Sequence, residues 1–167
     1  EVTDNIDIRT GLREYHIDSH KGFFLNGEHI KLQGVSRHQD RENMGNAITE
    51  KQHAEDVKII LDVGANSVRL AHYQQNSYFC DESGLLVWAE VPVISRFSPK
   101  RNENAEQQLV ELIKQNYNHP SIFCWGIENE ITIAGSASKK LITFLKHMHK
   151  VARHLDPTRY TTCAQLT

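Results

Sequence analysis

Hydrophobic and polar residues follow two alternating patterns along this chain. Short apolar segments of the kind that form buried strands occur five times, at residues 29–38, 65–73, 85–93, 121–130 and 159–166. Three other segments repeat their apolar residues every three to four positions, as amphipathic helices do, at residues 48–64, 102–117 and 138–155. Because strands and helices alternate, we predict βαβ units and a parallel sheet.

Capping signals support the predicted helix boundaries. Thr49 followed by Gln52 forms a capping-box pattern at the start of the first helix. The second helix must stop before Pro120, because the residue before a proline disfavours helical angles. Only eleven residues, 74–84, separate the second strand from the third, which is short for a helical crossover. Either the helix in that link is truncated, or part of the link is missing.

The segment before residue 28 has a different pattern. Residues 9–18 and 22–30 have the sequence of strands in an antiparallel hairpin. Asn26-Gly27 is a strong signal for a two-residue hairpin turn. We therefore predict a short β-hairpin ahead of the parallel sheet.

Composition and charge narrow the possible functions. The chain has 167 residues and a formal net charge of −2, so it lacks the basic surface that nucleic-acid binding requires. No apolar run approaches the roughly 20 residues of a membrane-spanning helix. No glycine-rich phosphate-binding motif follows the first strand, which disfavours a nucleotide cofactor. We therefore predict no nucleic-acid or membrane partner, and the compartment stays open.

Polar and charged residues collect at the ends of four predicted strands. These ends read RHQD (37–40), RLAHY (69–73), WAE (88–90) and ENE (128–130). The carboxyl ends of parallel strands lie at one edge of a sheet, so the side chains should converge on one cavity. In a (β/α)8 barrel that edge is the face where active sites are built.

Glu130 is the leading candidate for chemistry at this edge. Glycoside cleavage needs a carboxylic acid beside the leaving oxygen and a second carboxylate on the other side of the sugar. Asn129, the preceding residue, could hydrogen-bond a sugar hydroxyl. An isolated Asn-Glu pair also fits a polar strand end that faces solvent, so the pair alone does not decide the function.

Four motifs, in order along the chain, resemble the catalytic domain of family 2 glycoside hydrolases, and within that family the β-galactosidases. They are FLNGEHIKLQGVSRHQD (24–40), ANSVRLAHYQQ (65–75), LLVWAEVP (85–92) and NHPSIFCWGIENEI (118–131). The resemblance implies a TIM barrel that follows β-sandwich domains, and a retaining β-glycosidase. In that family the Glu of an Asn-Glu pair ending the fourth strand is the acid/base, and a second Glu, on a later strand, is the nucleophile.

The resemblance also implies roles for individual residues. Glu130 matches the catalytic acid/base. The predicted substrate-binding residues are Asn129, Arg69, His72, His38, Asp40 and Glu90. Without the resemblance, Arg69 and His72 also fit a structural ion pair and a buried core histidine. Some family members bind magnesium through a Glu-x-His after the third strand, but here that stretch reads VPVISRF (91–97), so we predict no metal and no cofactor.

Glu128 departs from the family pattern, in which a small or neutral residue is expected. Regular alternation would place residues 128 and 130 on one face of the strand and Asn129 on the other. We therefore predict a twist or bulge that lets Asn129 and Glu130 both reach the sugar. Glu128 would then be turned aside, into an ion pair or toward solvent.

The domain organisation follows from the same resemblance. Residues 1–27 would be the end of a preceding β-sandwich domain with an entry hairpin. Residues 28–167 would be the first part of a TIM barrel, an α/β fold that holds about five of its eight strands. The nucleophile would lie beyond Thr167, so we expect this piece alone to be inactive. We also expect it to self-associate, because its open edge would expose unpaired backbone and apolar surface.

Hydrolysis of terminal β-galactosides is the function that this resemblance favours. The enzyme alternatives are a β-glucuronidase or a β-mannosidase of the same family. The alternative from another class is a carbohydrate-binding or interaction module on a barrel that has lost its activity. Loss of turnover on Glu130→Gln substitution would separate an enzyme from such a module.

Overall fold

The chain begins with a small antiparallel sheet. A computed structural model describes residues 3–7, 10–81, 83–135 and 137–165. The first three strands, β1 Tyr15–Asp18, β2 Gly22–Leu25 and β3 Glu28–Ile30, pair in the order β1-β2-β3. Asn26 and Gly27 join β2 to β3 with φ angles of 50° and 82°, as a two-residue hairpin turn requires. The predicted hairpin and its turn are confirmed, and a third strand belongs to the same sheet.

A five-stranded parallel sheet follows. Its strands are β4 Gly34–Arg37, β5 Ser67–Leu70, β6 Leu86–Glu90, β7 Ile122–Asn129 and β8 Tyr160–Ala164. Each strand pairs with the next one along the chain, in the order β4-β5-β6-β7-β8. Sequential order without reversal is typical of a (β/α)8 barrel and not of a doubly wound sheet. The predicted α/β fold, a partial TIM barrel, is therefore confirmed.

The prediction of one strand over residues 29–38 is wrong, because the chain forms two short strands there. Residues 31–33 lie between β3 and β4 and belong to neither sheet. Asn66 holds this link, since its Oδ1 accepts the Gln33 N–H at 2.8 Å and its Nδ2 donates to the Lys31 carbonyl at 2.9 Å. The break depends on a side chain far along the sequence, so the local apolar pattern could not reveal it.

In the part of the chain that the structure describes, four α-helices connect the parallel strands. They are α1 Glu50–Asp62, α2 Tyr78–Asp81, α3 Asn102–Asn116 and α4 Lys139–Leu155. The three long helices lie within two residues of their predicted bounds, and α2 has only four residues, so the helix in the short link is truncated. At the start of α1 the Gln52 side chain accepts the Thr49 N–H at 2.9 Å, as the capping box predicts. Among the described residues, no helix is long and apolar enough to cross a membrane.

The hydrophobic core lies between one face of the parallel sheet and the helices. Trp125 on β7, Leu109 on α3 and Met148 on α4 are all completely buried in it. The apolar stripe predicted on α4 faces this core, where Leu141 and Phe144 are buried as well. Each large apolar side chain buried in this way contributes about 1.5–3 kcal/mol relative to an exposed one.

The other face of the sheet carries the side chains that a barrel turns toward its axis. One residue from each strand lies in a common register row, formed by Ser36, Arg69, Trp88, Cys124 and Tyr160. This row lines a cavity of about 580 Å³. Arg69 is the charged member of the row, and it reaches toward the carboxyl ends of the strands.

The antiparallel sheet packs against the amino-terminal ends of the parallel strands. Tyr15 on β1 donates its hydroxyl hydrogen to the Phe123 carbonyl near the start of β7. Arg13 donates to the carbonyls of Pro120 and Ile122 in the same region. The first sheet therefore covers the end of the barrel strands that is opposite the predicted site.

Candidate active site

Arg69 and Glu90 form the centre of the candidate site, at the carboxyl ends of β5 and β6. Glu90 is the last residue of β6, and its side chain is completely buried. Arg69 binds it in a bidentate manner, with Nε 2.9 Å from Oε2 and Nη2 2.8 Å from Oε1. A planar guanidinium matches a carboxylate in this geometry, which compensates for the burial of both charges.

Asn129 joins this pair from the end of β7. Its Oδ1 accepts a hydrogen bond from Arg69 Nη2 at 2.6 Å, and only 3% of the residue is exposed. Arg69 therefore connects the ends of three successive strands through side-chain hydrogen bonds. The amide nitrogen of Asn129 stays available to a ligand, because the bond to Arg69 occupies only the oxygen.

His72 lies two residues beyond β5 and contacts both members of the pair. Its Nδ1 is 2.9 Å from Glu90 Oε1 and 3.0 Å from Arg69 Nη2. A guanidinium only donates, so Nδ1 cannot accept from Arg69 while it donates to Glu90. We assign the hydrogen to Nδ1, because the buried carboxylate needs donors. Nε2 of His72 is then an acceptor that a hydroxyl group could use. The peptide bond between Ala71 and His72 is cis.

The end of β4 contributes less to this cluster. His38 is exposed, and its ring meets the His72 ring edge to face with the centroids 5.2 Å apart. Asp40 is exposed too, and within the described part of the chain no hydrogen bond connects it to the cluster. The structure thus places His38 beside the site and leaves Asp40 separate from the bonded side chains. Substrate binding by both residues stays a prediction.

Irregular backbone presents Asn129 and Glu130 at the end of β7. The pairing of β7 with β8 shifts register between Gly126 and Asn129, and Glu130 has a φ angle of 48°. A left-handed conformation costs a non-glycine residue about 1–3 kcal/mol and is concentrated at functional sites. The predicted bulge is confirmed. Glu130 is half-buried, and among the described residues its carboxylate has no hydrogen-bond partner, so the group is available for chemistry.

The expectation that Glu128 forms an ion pair or faces solvent is wrong. Its side chain is completely buried. Its Oε2 accepts the Ile131 N–H at 3.1 Å, and its Oε1 accepts from Gln165 Nε2 at 3.0 Å. Burial raises the pKa of the Glu128 carboxyl, and these two donors partly offset that effect. Because the fold supplies neutral donors, the carboxylate is buried without a cation.

Gln75 is a supporting residue that the sequence reasoning missed. It is buried, and its Nε2 donates to the Arg37 carbonyl at 2.8 Å and to the Ala71 carbonyl at 3.1 Å. These two carbonyls immediately precede His38 and His72. Gln75 therefore ties the ends of β4 and β5 together under two predicted site residues. It stands in the motif RLAHYQQ, but a glutamine in a loop follows no periodic pattern that would single it out.

Gly126 and Trp88 support the cluster from below. A Cβ atom at Gly126 would lie 2.3 Å from Trp88 Nε1 and 2.7 Å from Glu90 Cγ, so only glycine fits there. The Arg69 guanidinium lies over the Trp88 ring, 4.5 Å from its centroid. Such a cation–π contact contributes about 0.5–2 kcal/mol and fixes the plane of the guanidinium.

The side chains at the strand ends are of types that can transfer a proton and hydrogen-bond hydroxyl groups. Within the described ranges, no group of three or more His, Cys, Asp or Glu side chains is arranged to hold a metal ion. What the strand ends offer is an available carboxylate on Glu130, an amide on Asn129 and ring nitrogens on His72 and His38. These groups suit a ligand with many hydroxyl groups.

A barrel whose strand ends carry such groups is compatible with the TIM-barrel glycoside hydrolases. The chain matches the family described as glycosyl hydrolases family 2, TIM barrel domain, over residues 17–166. It therefore belongs to glycosyl hydrolase family 2, as the four motifs indicated.

Individual relatives carry two different enzyme names. The chain is 43% identical to a β-glucuronidase from Bacteroides fragilis, with 96% of this chain and 24% of the relative covered. It is 38% identical to a β-galactosidase from Thermoanaerobacterium thermosulfurigenes, with 95% and 22% covered. The crystal structure of an FMN-binding β-glucuronidase from Facaelibacterium prausnitzii L2-6 matches with a TM-score of 0.89 and 48% identity, covering 93% of this chain and 25% of that one. The chain thus spans about a quarter of the length of the curated relatives it matches.

Proposed function

We propose that this chain supplies the acid/base half of the active site of a retaining β-glycosidase, with Glu130 as the catalytic residue. The observation that carries the proposal is the bridge made by Arg69, which binds Glu90 and Asn129 together at the strand ends. This bridge fixes Asn129, and Glu130 follows it on a backbone in a left-handed conformation. Family membership supplies the reaction type.

In the proposed reaction Glu130 acts twice. As an acid it gives its proton to the glycosidic oxygen while a nucleophilic carboxylate attacks the anomeric carbon and the leaving group departs. As a base it then takes a proton from water, which attacks the anomeric carbon and releases the sugar from the nucleophile. Asn129, His72, His38 and Asp40 would bind sugar hydroxyls during both steps.

The nucleophile has to come from outside the cluster described above. Glu90 is completely buried, and its oxygens already accept from Arg69 and His72. Glu128 is completely buried as well, and both of its oxygens are used. Neither carboxylate can reach an anomeric carbon in this arrangement. We therefore propose that a part of the full-length protein other than this chain provides it.

A β-glucuronide is the substrate that we propose first. The supporting observation is that the structure at 48% identity and the Bacteroides fragilis relative at 43% identity are both named β-glucuronidases, whereas the motifs taken alone favoured a β-galactoside. A β-galactoside is the second candidate, because a β-galactosidase also matches over nearly the whole chain. The two sugars differ at C6, where a glucuronide carries a carboxylate and a galactoside a hydroxymethyl group, and at C4, where their hydroxyl groups have opposite configurations.

The test uses a full-length protein that contains this chain. Phenyl β-glucuronide and phenyl β-galactoside share a leaving group, so their kcat/KM values compare the sugars alone. Glu130→Gln should lower kcat/KM on the preferred sugar by about 10²- to 10⁴-fold, the usual contribution of a general acid. Glu103→Gln, which changes an exposed glutamate on α3, is the matched control and should have no effect. Full activity of the Glu130→Gln variant, or no hydrolysis of either glycoside by the wild-type protein, would contradict the proposal.

A further inference from the structure

The Glu128 side chain spans Asn129 and Glu130, which carry the proposed chemistry, and its carboxylate is buried. Its Oε2 accepts the backbone N–H of Ile131, three residues ahead, at 3.1 Å. Its Oε1 accepts from the Gln165 side chain, just beyond β8, at 3.0 Å. The carboxylate thus bridges the two ends of the backbone segment that contains Asn129 and Glu130.

Burial of this group needs a reason. A carboxylate that is removed from water loses solvation, and a cation normally compensates for it. Among the described residues no lysine, arginine or histidine forms an ion pair with Glu128, and the Cys163 thiol is a further neutral neighbour. What the carboxylate does satisfy is the amide of Ile131, a residue that is itself only 3% exposed.

The two peptide groups on either side of the Glu130 Cα are both held in place. On the amino side, the Glu130 N–H donates to the Ala164 carbonyl at 2.7 Å, and the Asn129 carbonyl accepts the Ser95 N–H at 3.0 Å. On the carboxyl side, the Glu130 carbonyl accepts the Ile133 N–H at 2.9 Å. The N–H of that second peptide is the one bound by Glu128. These bonds maintain the φ angle of 48° at Glu130, and Glu128 is the side chain among them.

We propose that Glu128 is a positioning residue for the acid/base: it accepts the Ile131 N–H and thereby sets the backbone from which the Glu130 carboxylate reaches the glycosidic oxygen. This inference rests on the proposed function. What matters is the acceptor atom, and the negative charge is not required. A small displacement of a catalytic group is costly, since about 1 Å can lower a rate by about 100-fold.

Two substitutions separate the acceptor from the charge. Glu128→Met keeps the length of the side chain and removes the acceptor. Glu128→Gln keeps an oxygen for the Ile131 N–H, and its amide can donate to Gln165 once the Gln165 amide turns over. Rescue by glutamine but not by methionine is therefore the expected pattern.

The readout depends on the leaving group. Protonation of the oxygen matters greatly for a phenyl glycoside and little for a 2,4-dinitrophenyl glycoside, whose leaving group is a weak base. In the full-length protein, Glu128→Met should lower kcat/KM on the phenyl glycoside by about 10- to 100-fold and on the dinitrophenyl glycoside by less than about threefold. Glu128→Gln should stay within about threefold of wild type on both substrates.

Several results would overturn the inference. An equal loss on both substrates would indicate general structural damage, and no loss on either would show that Glu128 positions nothing. A Glu128→Gln variant as impaired as Glu128→Met would make the charge decisive. If Glu128→Met does not fold, Gln165→Met, which removes a partner on an exposed residue, should give a smaller loss confined to the phenyl glycoside. Absence of that selectivity would also overturn it.

The same experiment distinguishes this inference from the proposed function. Glu130→Gln must itself show the loss confined to the phenyl glycoside. If Glu130→Gln has no such effect, the proposed function and the inference both fail. If Glu130→Gln shows it and Glu128→Met does not, the proposed function stands and only the inference fails.

Discussion

The two ends of the parallel sheet both rely on a buried or half-buried arginine, and they use it differently. At the amino-terminal end, Arg159 is bound mainly by backbone carbonyls and by one carboxylate. At the carboxyl end, Arg69 is bound by side chains from other strands. In the first arrangement every nitrogen of the guanidinium donates to an acceptor of the protein, and the second leaves groups available to a ligand.

The amino-terminal end is a closed network. Arg159 donates to Asp156 at 2.7 Å and to the carbonyls of Tyr117, His119 and Ile122. Asp156 also accepts from Trp125 Nε1 at 2.9 Å. Burial alone would raise the pKa of Asp156, but its hydrogen bonds outweigh burial and lower that pKa to about 2.

The carboxyl end is an open network. Arg69, Glu90 and Asn129 hold one another, while Nε2 of His72 and the carboxylate of Glu130 lack partners among the described residues. Glu130 also has a left-handed backbone, which the amino-terminal network does not require of its members. In barrels of this kind, stability is concentrated at the amino-terminal face and chemistry at the carboxyl face.

The largest expected effect is on stability, from breaking the closed network. Asp156→Ala would leave the Arg159 guanidinium and the Trp125 N–H buried without their partner. We expect it to lower the free energy of unfolding by about 3–5 kcal/mol, measured by chemical denaturation of the chain. Asp62→Ala, which breaks the exposed Lys58–Asp62 pair, is the control and should change it by less than about 1 kcal/mol. If both substitutions lower the free energy of unfolding equally, the buried network stabilises the chain no more than the surface ion pair does.

The second effect is a pH dependence of opposite sign at the two ends. The pKa of Asp156 falls from the ordinary value of 3.8 to about 2, so its contribution is present above pH 3.8 and is lost as the pH falls toward 2. That contribution is about 2 kcal/mol. The pKa of Glu128 is raised by burial above its ordinary value of 4.5, so its ionisation costs stability at neutral pH. Acidification through its folded-state pKa therefore stabilises the chain.

Denaturation from pH 8 to pH 2 checks both signs. Asp156→Asn should reduce the loss of unfolding free energy that the wild-type chain shows as the pH falls below 3.8. Glu128→Gln should reduce the gain of unfolding free energy that the wild-type chain shows as the pH falls through the folded-state pKa of Glu128. If either substitution leaves the dependence of unfolding free energy on pH unchanged, the substituted carboxyl is not the group that causes that part of the dependence.

The third and weakest effect is self-association through the two edge strands of the parallel sheet, β4 and β8. Within the described residues β4 pairs only with β5, and β8 only with β7. The cavity is also lined by the exposed apolar residues Ile17 and Leu32. We propose that the 167-residue chain by itself self-associates weakly through these surfaces. Sedimentation at micromolar concentration should show dimers, and Thr162→Lys on β8 should shift them to monomers. A monomer that binds no hydrophobic dye would rule this out.

The order of the helices and strands, and the edge of the sheet where polar groups gather, could be predicted from the amino-acid pattern, although one predicted strand proved to be two. The helix at 102–117 and the strand at 121–130 lie within one residue of the observed α3 and β7. The Asn26-Gly27 turn and the capping box of α1 could also be predicted, and the short link between β5 and β6 left a truncated α2 as one of two alternatives. These features depend on neighbours a few positions apart, so periodicity, turn residues and chain length are enough to identify them. The four motifs also indicated membership of glycoside hydrolase family 2.

The pairing of polar side chains, and the availability of those left unpaired, could be seen only in the folded chain. In the sequence Glu128 resembles a polar strand end, but its side chain is buried in the structure. Its two hydrogen-bond donors, the Ile131 N–H and the Gln165 side chain, both lie outside β7. Gln75 holds two strand ends through carbonyls that lie close only after folding. Glu90 is among the predicted binding residues, and only the structure shows that its carboxylate is buried and paired with Arg69. A hydrogen bond between residues far apart in sequence follows from the packing of strands, and no local pattern encodes that distance.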